Sequence, residues 1–158
     1  MRAPLYVVDG YSIIFRSYFA FIKTPLRSPE GKNTSAVFGF FRFLFQLLRE
    51  RRDGRIAVAF DSPGPTFRSE IYPAYKATRE KAPDDLREQI PRIERILGAL
   101  DVPCIKREGY EADDIIAILA EACRRDGRQC YILSGDKDLL QLVDDTVKIL
   151  FPGKTAEG

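Results

Sequence analysis

Three short apolar stretches that each lead into an aspartate decide the fold of this chain: LYVVD at 5–9, RIAVAFD at 55–61 and CYILSGD at 130–136. Apolar, β-branched runs of this length, bounded by turn residues, are typical of strands buried on both faces of a sheet. In an open parallel sheet, ligands collect beyond the carboxyl ends of the strands. We therefore expect the three aspartates, which lie far apart in sequence, to meet at one edge.

The segments between these stretches alternate between strand and helix patterns. Two further strands are predicted, at 102–105 and 147–150. Helices are predicted at residues 12–21, 34–52, 84–100, 111–125 and 139–143. The alternation predicts an α/β fold over residues 1–158: a three-layer sandwich with a mainly parallel central sheet of about five strands and helices on both faces.

Two of the predicted helices have features that predict burial in one case and an interruption in the other. The helix at 34–52 is apolar over most of its circumference, which predicts that it is buried beneath the sheet. Pro91 interrupts the apolar pattern of 84–100 and predicts a kink or a new helix start there.

The composition is that of an ordinary soluble globular domain, with 158 residues, 45% hydrophobic and 30% charged. Charge interrupts every apolar stretch well short of the roughly 20 residues that a membrane span needs. The N-terminus runs straight into a strand, so no secretory leader is expected. The three cysteines match no zinc spacing, which favours reduced thiols in the core of a cytoplasmic protein.

Acidic residues recur wherever a strand ends or a helix begins on the same predicted edge. Alone, the motifs GYEADD and SGDKD have a second explanation, because acids in a first helical turn cap the helix and complement its dipole. Taken together with the strand ends, they form a larger set. Its members are Asp9, Asp61, Glu111, Asp113, Asp114, Asp136 and Asp138.

Converging carboxylates repel one another unless a cation compensates them, and the chain has no histidine to serve as a partner. Mg²⁺ or Mn²⁺ with oxygen ligands resolves this conflict. Two such ions about 4 Å apart activate a water and stabilise the leaving oxygen of a displacement at phosphorus. Without histidine, Ser-His and Cys-His mechanisms have no support, and the surviving reaction class is hydrolysis of phosphodiesters.

A long stretch without sheet pattern, from residue 62 to 85, interleaves aromatic and basic residues. Rings stack on unpaired bases while cations contact phosphates, so this composition suits a single nucleic-acid strand. A solvated loop with incidental charge is the alternative. The basic residues are Arg68, Lys76, Arg79 and Lys81, and the aromatic ones are Phe67, Tyr72 and Tyr75. Arg16 is expected at the same rim, with a surface helix cation as its alternative.

The ordered set DGYSIIFRSYFAF, AVFGF, AFDSPGPTFRSEIYPAYKATR, PDDLREQI, GYEADDIIAILA and SGDKDLLQLV resembles the N-terminal 5′-3′ exonuclease domain of bacterial DNA polymerase I, a member of the flap endonuclease group. The resemblance covers essentially the whole chain. It implies a PIN-like, resolvase-like fold and the cleavage of 5′ flaps or nicked duplexes in DNA replication and repair. It also implies a monomer in the cytoplasm, associated with the nucleoid and without membrane contact.

The resemblance assigns roles to individual positions. All seven acids fall where the family keeps its metal ligands, with Asp114 and Asp136 as the acids on which cleavage depends most. Tyr75, Lys76 and Arg79 match the gateway that contacts the 5′ strand and the scissile phosphate. Arg16 matches an arginine that contacts phosphate. Arg68 is expected to bind DNA as part of the basic segment 68–81 and not through a matched family position. We expect residues 64–85, here called the gateway segment, to be mobile.

The chain departs from the family in one respect, because the following helix-hairpin-helix region and its further aspartates are missing. We therefore expect a fragment of a longer polymerase, with the polymerase domain of the same parent chain as its partner. The first metal subsite should be complete and the second incomplete. Two other functions stay open: a fragment that binds DNA or a partner without catalysis, and a PIN-type ribonuclease.

Overall fold

Five parallel strands form the centre of the computed structural model, which describes residues 2–78 and 80–152. They are β1 Leu5–Asp9, β2 Arg55–Ala59, β3 Cys104–Ile105, β4 Cys130–Leu133 and β5 Val147–Leu150. Their order across the sheet is β3-β2-β1-β4-β5. The predicted α/β fold with a mainly parallel sheet of about five strands is confirmed.

The helices connect successive strands. They are α1 Gly10–Ala20, α2 Ser35–Glu50, α3 Phe67–Ile71, α4 Asp84–Arg87, α5 Ile90–Ala99, α6 Ala112–Arg125 and a 3₁₀ helix at Lys137–Leu142. Pro91 stands in the first turn of α5, so the predicted new helix start is confirmed. The short helix α3 lies inside the gateway segment, where no periodic pattern predicts a helix.

Two hydrophobic cores cover the two faces of the sheet. Side chains alternate along β1, so Tyr6 and Val8 join the core that includes α1, α2 and α5, while Val7 joins the core built on α6. The three-layer arrangement follows from this alternation.

Two expectations about burial are wrong. Helix α2 packs against α1 and α5 with one face only, which leaves Phe38 and Phe45 about half exposed, at 48% and 52%. It is an outer-layer helix and is not buried on most of its circumference. Cys104 is also exposed, on a short edge strand, whereas Cys123 and Cys130 are buried core residues as predicted. Among the described residues, no helix has the length and apolar character to cross a membrane.

The strand order places a crevice at the centre of the sheet. From β1 the chain proceeds outward through β2 to β3, and it then returns to place β4 on the other side of β1. Crossovers leaving β1 in opposite directions open a gap at the carboxyl ends of β1 and β4. Asp9, Asp61 and Asp136, which end the three apolar stretches, lie at this gap.

Candidate metal centre and nucleic-acid interface

A cavity of about 560 Å³ lies at the carboxyl edge of the sheet, next to the start of α6. We call it the carboxylate cavity. Five of the seven predicted acids line it: Asp9, Asp61, Glu111, Asp113 and Asp136. The expected meeting of the strand-end aspartates is therefore observed.

Asp9 ends β1 at the floor of the cavity and is only 6% exposed. Its Oδ1 accepts a hydrogen bond from the Ser12 backbone N–H at 3.3 Å, and its Oδ2 accepts one from the Ser134 hydroxyl at 2.6 Å. Burial raises the pKa of Asp9, and the charges of Asp61 and Asp136 act in the same direction against the two hydrogen bonds.

Two supporting residues were not predicted from the sequence. Ser134 is fully buried, and its hydroxyl oxygen also accepts a hydrogen bond from the Asp136 backbone N–H at 3.0 Å. A Cβ on Gly10 would stand 2.6 Å from the Phe60 ring, so α1 can start immediately after Asp9 only because glycine is there. The sequence feature that could have identified both residues is a small residue directly after a strand: Gly10 after β1, in DG, and Ser134 after β4, in SGD.

Two acids that line the cavity also accept hydrogen bonds at helix starts, as the capping explanation predicts for the SGDKD motif. Asp61 Oδ1 accepts a hydrogen bond from the Ala112 N–H at 2.6 Å, at the start of α6. Asp136 Oδ1 accepts one from the Asp138 N–H at 2.9 Å, at the start of the 3₁₀ helix. Each of these acids fixes a helix start and also lines the cavity.

The pKa of Asp113 reflects the charges that surround the cavity. Its pKa is raised to about 6, first by burial and then by the charges of Asp9, Asp136 and Asp61. Lys76 lowers this pKa, but it does not cancel the effect of the acids. The cavity therefore carries an excess of negative charge around Asp113.

The other acids at the start of α6 are paired with cations from the gateway segment. Arg68 donates two hydrogen bonds of 2.7 Å to the two oxygens of Asp114, and Asp114 Oδ2 also accepts one from the Glu111 N–H at 3.0 Å. The hydrogen bonds from Arg68 lower the pKa of Asp114. Glu111 accepts hydrogen bonds from Lys76 Nζ at 3.0 Å and from the Tyr75 hydroxyl at 3.3 Å.

Lys76 adopts a backbone conformation that is unusual for a residue with a side chain. Its φ is 55°, in the left-handed region where glycine is favoured. Burial opposes its charged form, but hydrogen bonding to Glu111 and the charge of Glu111 outweigh burial, and the pKa of Lys76 is raised. The contact with Glu111 helps to keep this conformation in place.

Several predicted site residues do not line the carboxylate cavity, and one lies outside the described residues. Asp138 is exposed and does not line the carboxylate cavity. Arg16 lines a separate cavity between α1 and α2 and donates a hydrogen bond to the Pro152 carbonyl. Arg68 is occupied by Asp114, and Arg79 lies outside the described residues.

The donor set fits a hard divalent cation, because it consists of carboxylates without imidazole or thiolate. Within residues 2–78 and 80–152, no group of three or more His, Cys, Asp or Glu side chains is arranged to hold a metal ion as it stands. Oxygens of Asp9, Asp61 and Asp136 are turned toward protein donors. The raised pKa of Asp113 marks the place where a cation would relieve repulsion.

Residues 4–157 match the family model described as 5′-3′ exonuclease, N-terminal resolvase-like domain. DNA polymerase I of Treponema pallidum is 49% identical over 149 residues, which cover 94% of this chain and 15% of that protein. A 5′-3′ exonuclease of Aquifex aeolicus is 46% identical over 148 residues, covering 94% of this chain and 50% of that protein. The chain thus spans half or less of these relatives.

Solved structures share the fold. The T5 D15 protein co-crystallized with metal ions superposes with a TM-score of 0.70 at 22% identity, over 94% of this chain and 55% of that chain. The catalytic core of Rad2 in complex with DNA substrate gives 0.58 at 20% identity, over 99% of this chain and 46% of that one. At these identities the likeness supports the fold alone.

Proposed function

The chain belongs to the family of the 5′-3′ exonuclease N-terminal resolvase-like domain, and we propose that its carboxylate cavity hydrolyses phosphodiesters near 5′ ends of DNA. The substrate is a 5′ flap or a nicked duplex, cleaved at the junction of unpaired and paired strands. The observation that carries the proposal is the group of acidic side chains around Asp113, which outnumber the cations that line the cavity among the described residues.

A divalent cation is held by the acids that line the cavity. Mg²⁺ or Mn²⁺ suits oxygen donors, and it would supply a Lewis acid that stabilises charge on phosphoryl oxygens and makes a water more acidic. The proposed ligands are Asp9, Asp61, Glu111, Asp113 and Asp136, with Asp138 as a more distant candidate. A second ion would need ligands beyond these.

Residues of the gateway segment act on the DNA. Lys76 lines the cavity, and its ammonium group would offset negative charge on the scissile phosphate. The Tyr75 ring is half-buried beside Lys76 and presents a surface on which an unpaired base stacks. Arg79 is proposed as a further phosphate contact three residues later, and Arg16 would contact DNA at the rim between α1 and α2. In a longer parent chain, a polymerase region would extend DNA at the same nick. That parent chain would be cytoplasmic and associated with the nucleoid.

The direct test is cleavage of a 5′-flap oligonucleotide by the chain with Mg²⁺ or Mn²⁺. We expect turnover that EDTA abolishes and that Asp136→Asn lowers at least about 100-fold, since metal electrostatics supply several kcal/mol. Asp126→Asn is the matched control, because Asp126 follows α6 at the opposite edge of the sheet and forms an ion pair with exposed Arg2. DNA binding without turnover would favour the pure binding function, and preference for single-stranded RNA would favour the ribonuclease.

A further inference from the structure

Residues 62–76, which include the first part of the gateway segment, contact the loop that leads into α6. The Ser62 hydroxyl donates a hydrogen bond to the Tyr110 carbonyl at 3.2 Å, and the Phe67 N–H donates one to the Gly109 carbonyl at 3.0 Å. The rings of Phe67 and Tyr110 lie 5.7 Å apart. Residues 62–76 therefore follow residues 109–114 side by side.

The strongest of these contacts joins Arg68 to Asp114. It is a bidentate pair in which both oxygens of Asp114 are used, and Arg68 Nη1 also lies 3.5 Å from Glu111 Oε2. The guanidinium carbon stands 4.5 Å from the centre of the Phe67 ring. Asp114 is absent from the lining of the carboxylate cavity. Its oxygens are therefore committed to protein donors.

Short backbone contacts connect this pair to the residues that face the cavity. The Tyr72 N–H donates a hydrogen bond to the Arg68 carbonyl at 2.8 Å, and the Tyr75 N–H donates one to the Tyr72 carbonyl at 2.8 Å. Lys76 follows directly, in its left-handed conformation against Glu111. Backbone hydrogen bonds thus link Arg68 to Tyr75, the residue directly before Lys76.

We propose that Arg68 and Asp114 form a positioning pair that holds Tyr75 and Lys76 beside Glu111 and that contacts neither the metal ion nor the scissile phosphate. The proposal rests on the proposed function, since it assigns the two residues a part in the same site. Their bidentate geometry is one that arginine makes and lysine does not reproduce. The positioning role replaces two roles expected from the sequence. Asp114 was expected to be a metal ligand, and Arg68 was expected to contact DNA.

The test compares Arg68→Met, Asp114→Asn and the double variant with two references. Arg125→Met removes an exposed ion pair with Glu121 on the same helix, and Asp113→Asn removes a proposed metal ligand. Hydrogen exchange of the amides in residues 67–78, Mn²⁺ affinity by calorimetry and flap-cleavage kinetics are measured on the whole chain. Unchanged exchange of the amides in β1 and β4 shows that faster exchange in residues 67–78 is local.

We expect exchange at Tyr72 and Tyr75 to accelerate about tenfold or more in both single variants, and the double variant to match them, because the two residues act as one unit. The Mn²⁺ dissociation constant should stay within about twofold, whereas kcat falls about 10- to 100-fold with little change in KM, as misplaced groups predict. Arg125→Met should change none of these.

The proposal is overturned if Asp114→Asn weakens Mn²⁺ binding as much as Asp113→Asn does. It is also overturned if Arg68→Met and Asp114→Asn exchange like Arg125→Met. Wild-type protein that neither binds Mn²⁺ nor cleaves DNA would instead contradict the proposed function, and the exchange rates would still decide whether the pair holds residues 67–78.

Discussion

The acidic residues at the carboxyl edge of the sheet fall into two groups that differ in what balances their charge. The paired acids, Glu111 and Asp114, contact cations of the gateway segment. The open acids are Asp9, Asp61, Asp113 and Asp136. Protein cations balance the paired acids, whereas the open acids keep negative charge that the proposed divalent cation would compensate. Glu111 belongs to both descriptions, since it is paired with Lys76 and also lines the cavity.

The pKa of one paired acid and the pKa values of two open acids shift in opposite directions. Hydrogen bonds from Arg68 lower the pKa of Asp114, whereas burial and neighbouring acids raise the pKa of Asp9 and Asp113. A carboxylate with a lowered pKa stabilises the fold when ionised, and one with a raised pKa destabilises it. The negative charge that would bind the proposed cation therefore destabilises the fold at Asp9 and Asp113, whereas the charge of Asp114 stabilises it.

The largest expected effect comes from neutralising an open acid. Asp113→Asn should raise the melting temperature in EDTA, because it removes repulsion, and should lower metal-dependent cleavage at least about 100-fold. Mn²⁺ at 100 times its dissociation constant should stabilise the wild-type chain by about 2.7 kcal/mol and this variant far less. Thermal unfolding with and without Mn²⁺ measures both. Equal stabilisation of the variant would show that Asp113 is no ligand.

Removing a paired acid should have the opposite effect on stability. Asp114→Ala leaves the Arg68 guanidinium and the Glu111 N–H without their partner, which should cost about 1–3 kcal/mol of unfolding free energy. Urea denaturation in EDTA measures this loss. Asp126→Ala, which breaks an exposed ion pair with Arg2, should change stability by less than about 1 kcal/mol. A neutral or stabilising Asp114→Ala would remove the distinction between the two groups.

The edge on which the acids meet was predictable because strand direction is encoded locally. An apolar run followed by an aspartate places that aspartate at a carboxyl end, and parallel pairing then brings Asp9, Asp61 and Asp136 together without further information. The register of β1 with β2 and β4 follows the same apolar runs. This part of the site depends only on the fold class.

The division of the acids into two groups was not predictable in the same way. Arg68 and Asp114 lie 46 residues apart, and no periodic pattern links a short helix in a long connection to the start of α6. The position of Arg16 was also not predictable from the sequence. Ser12 and Phe15 line the carboxylate cavity, whereas Ile13 and Arg16 line the separate cavity between α1 and α2. One position around a helix changes the surface that a side chain reaches.

The pH dependence of stability should separate the groups with a smaller effect. The folded pKa of Asp113, about 6, exceeds its ordinary value of 3.8, so the folded state binds the extra proton between these values. Asp113→Asn should therefore be more stable than wild type at pH 7 in EDTA, and the advantage should shrink as the pH falls through 6 toward 4.

For Asp114 the sign reverses. Its lowered pKa means that its contribution is present above pH 3.8 and is lost as the pH falls through its folded value. The deficit of Asp114→Asn should therefore be constant between pH 5 and 7 and should shrink only in more acid solution. Urea titrations of the three proteins across this range supply the comparison, and parallel pH profiles for both variants would contradict it.

The smallest effect is expected where the paired group touches the proposed DNA surface. The Tyr75 hydroxyl makes one long hydrogen bond of 3.3 Å to Glu111, which Lys76 also neutralises. Tyr75→Phe should change unfolding free energy by about 0.5 kcal/mol and cleavage less than about threefold, because the stacking ring is kept. Tyr75→Ala should instead weaken flap binding by about 1–3 kcal/mol, the value of one stacked base. Fluorescence titration with a flap oligonucleotide distinguishes the variants. If Phe behaves like Ala, the hydroxyl and its bond to Glu111 carry the function of this residue, and the ring does not.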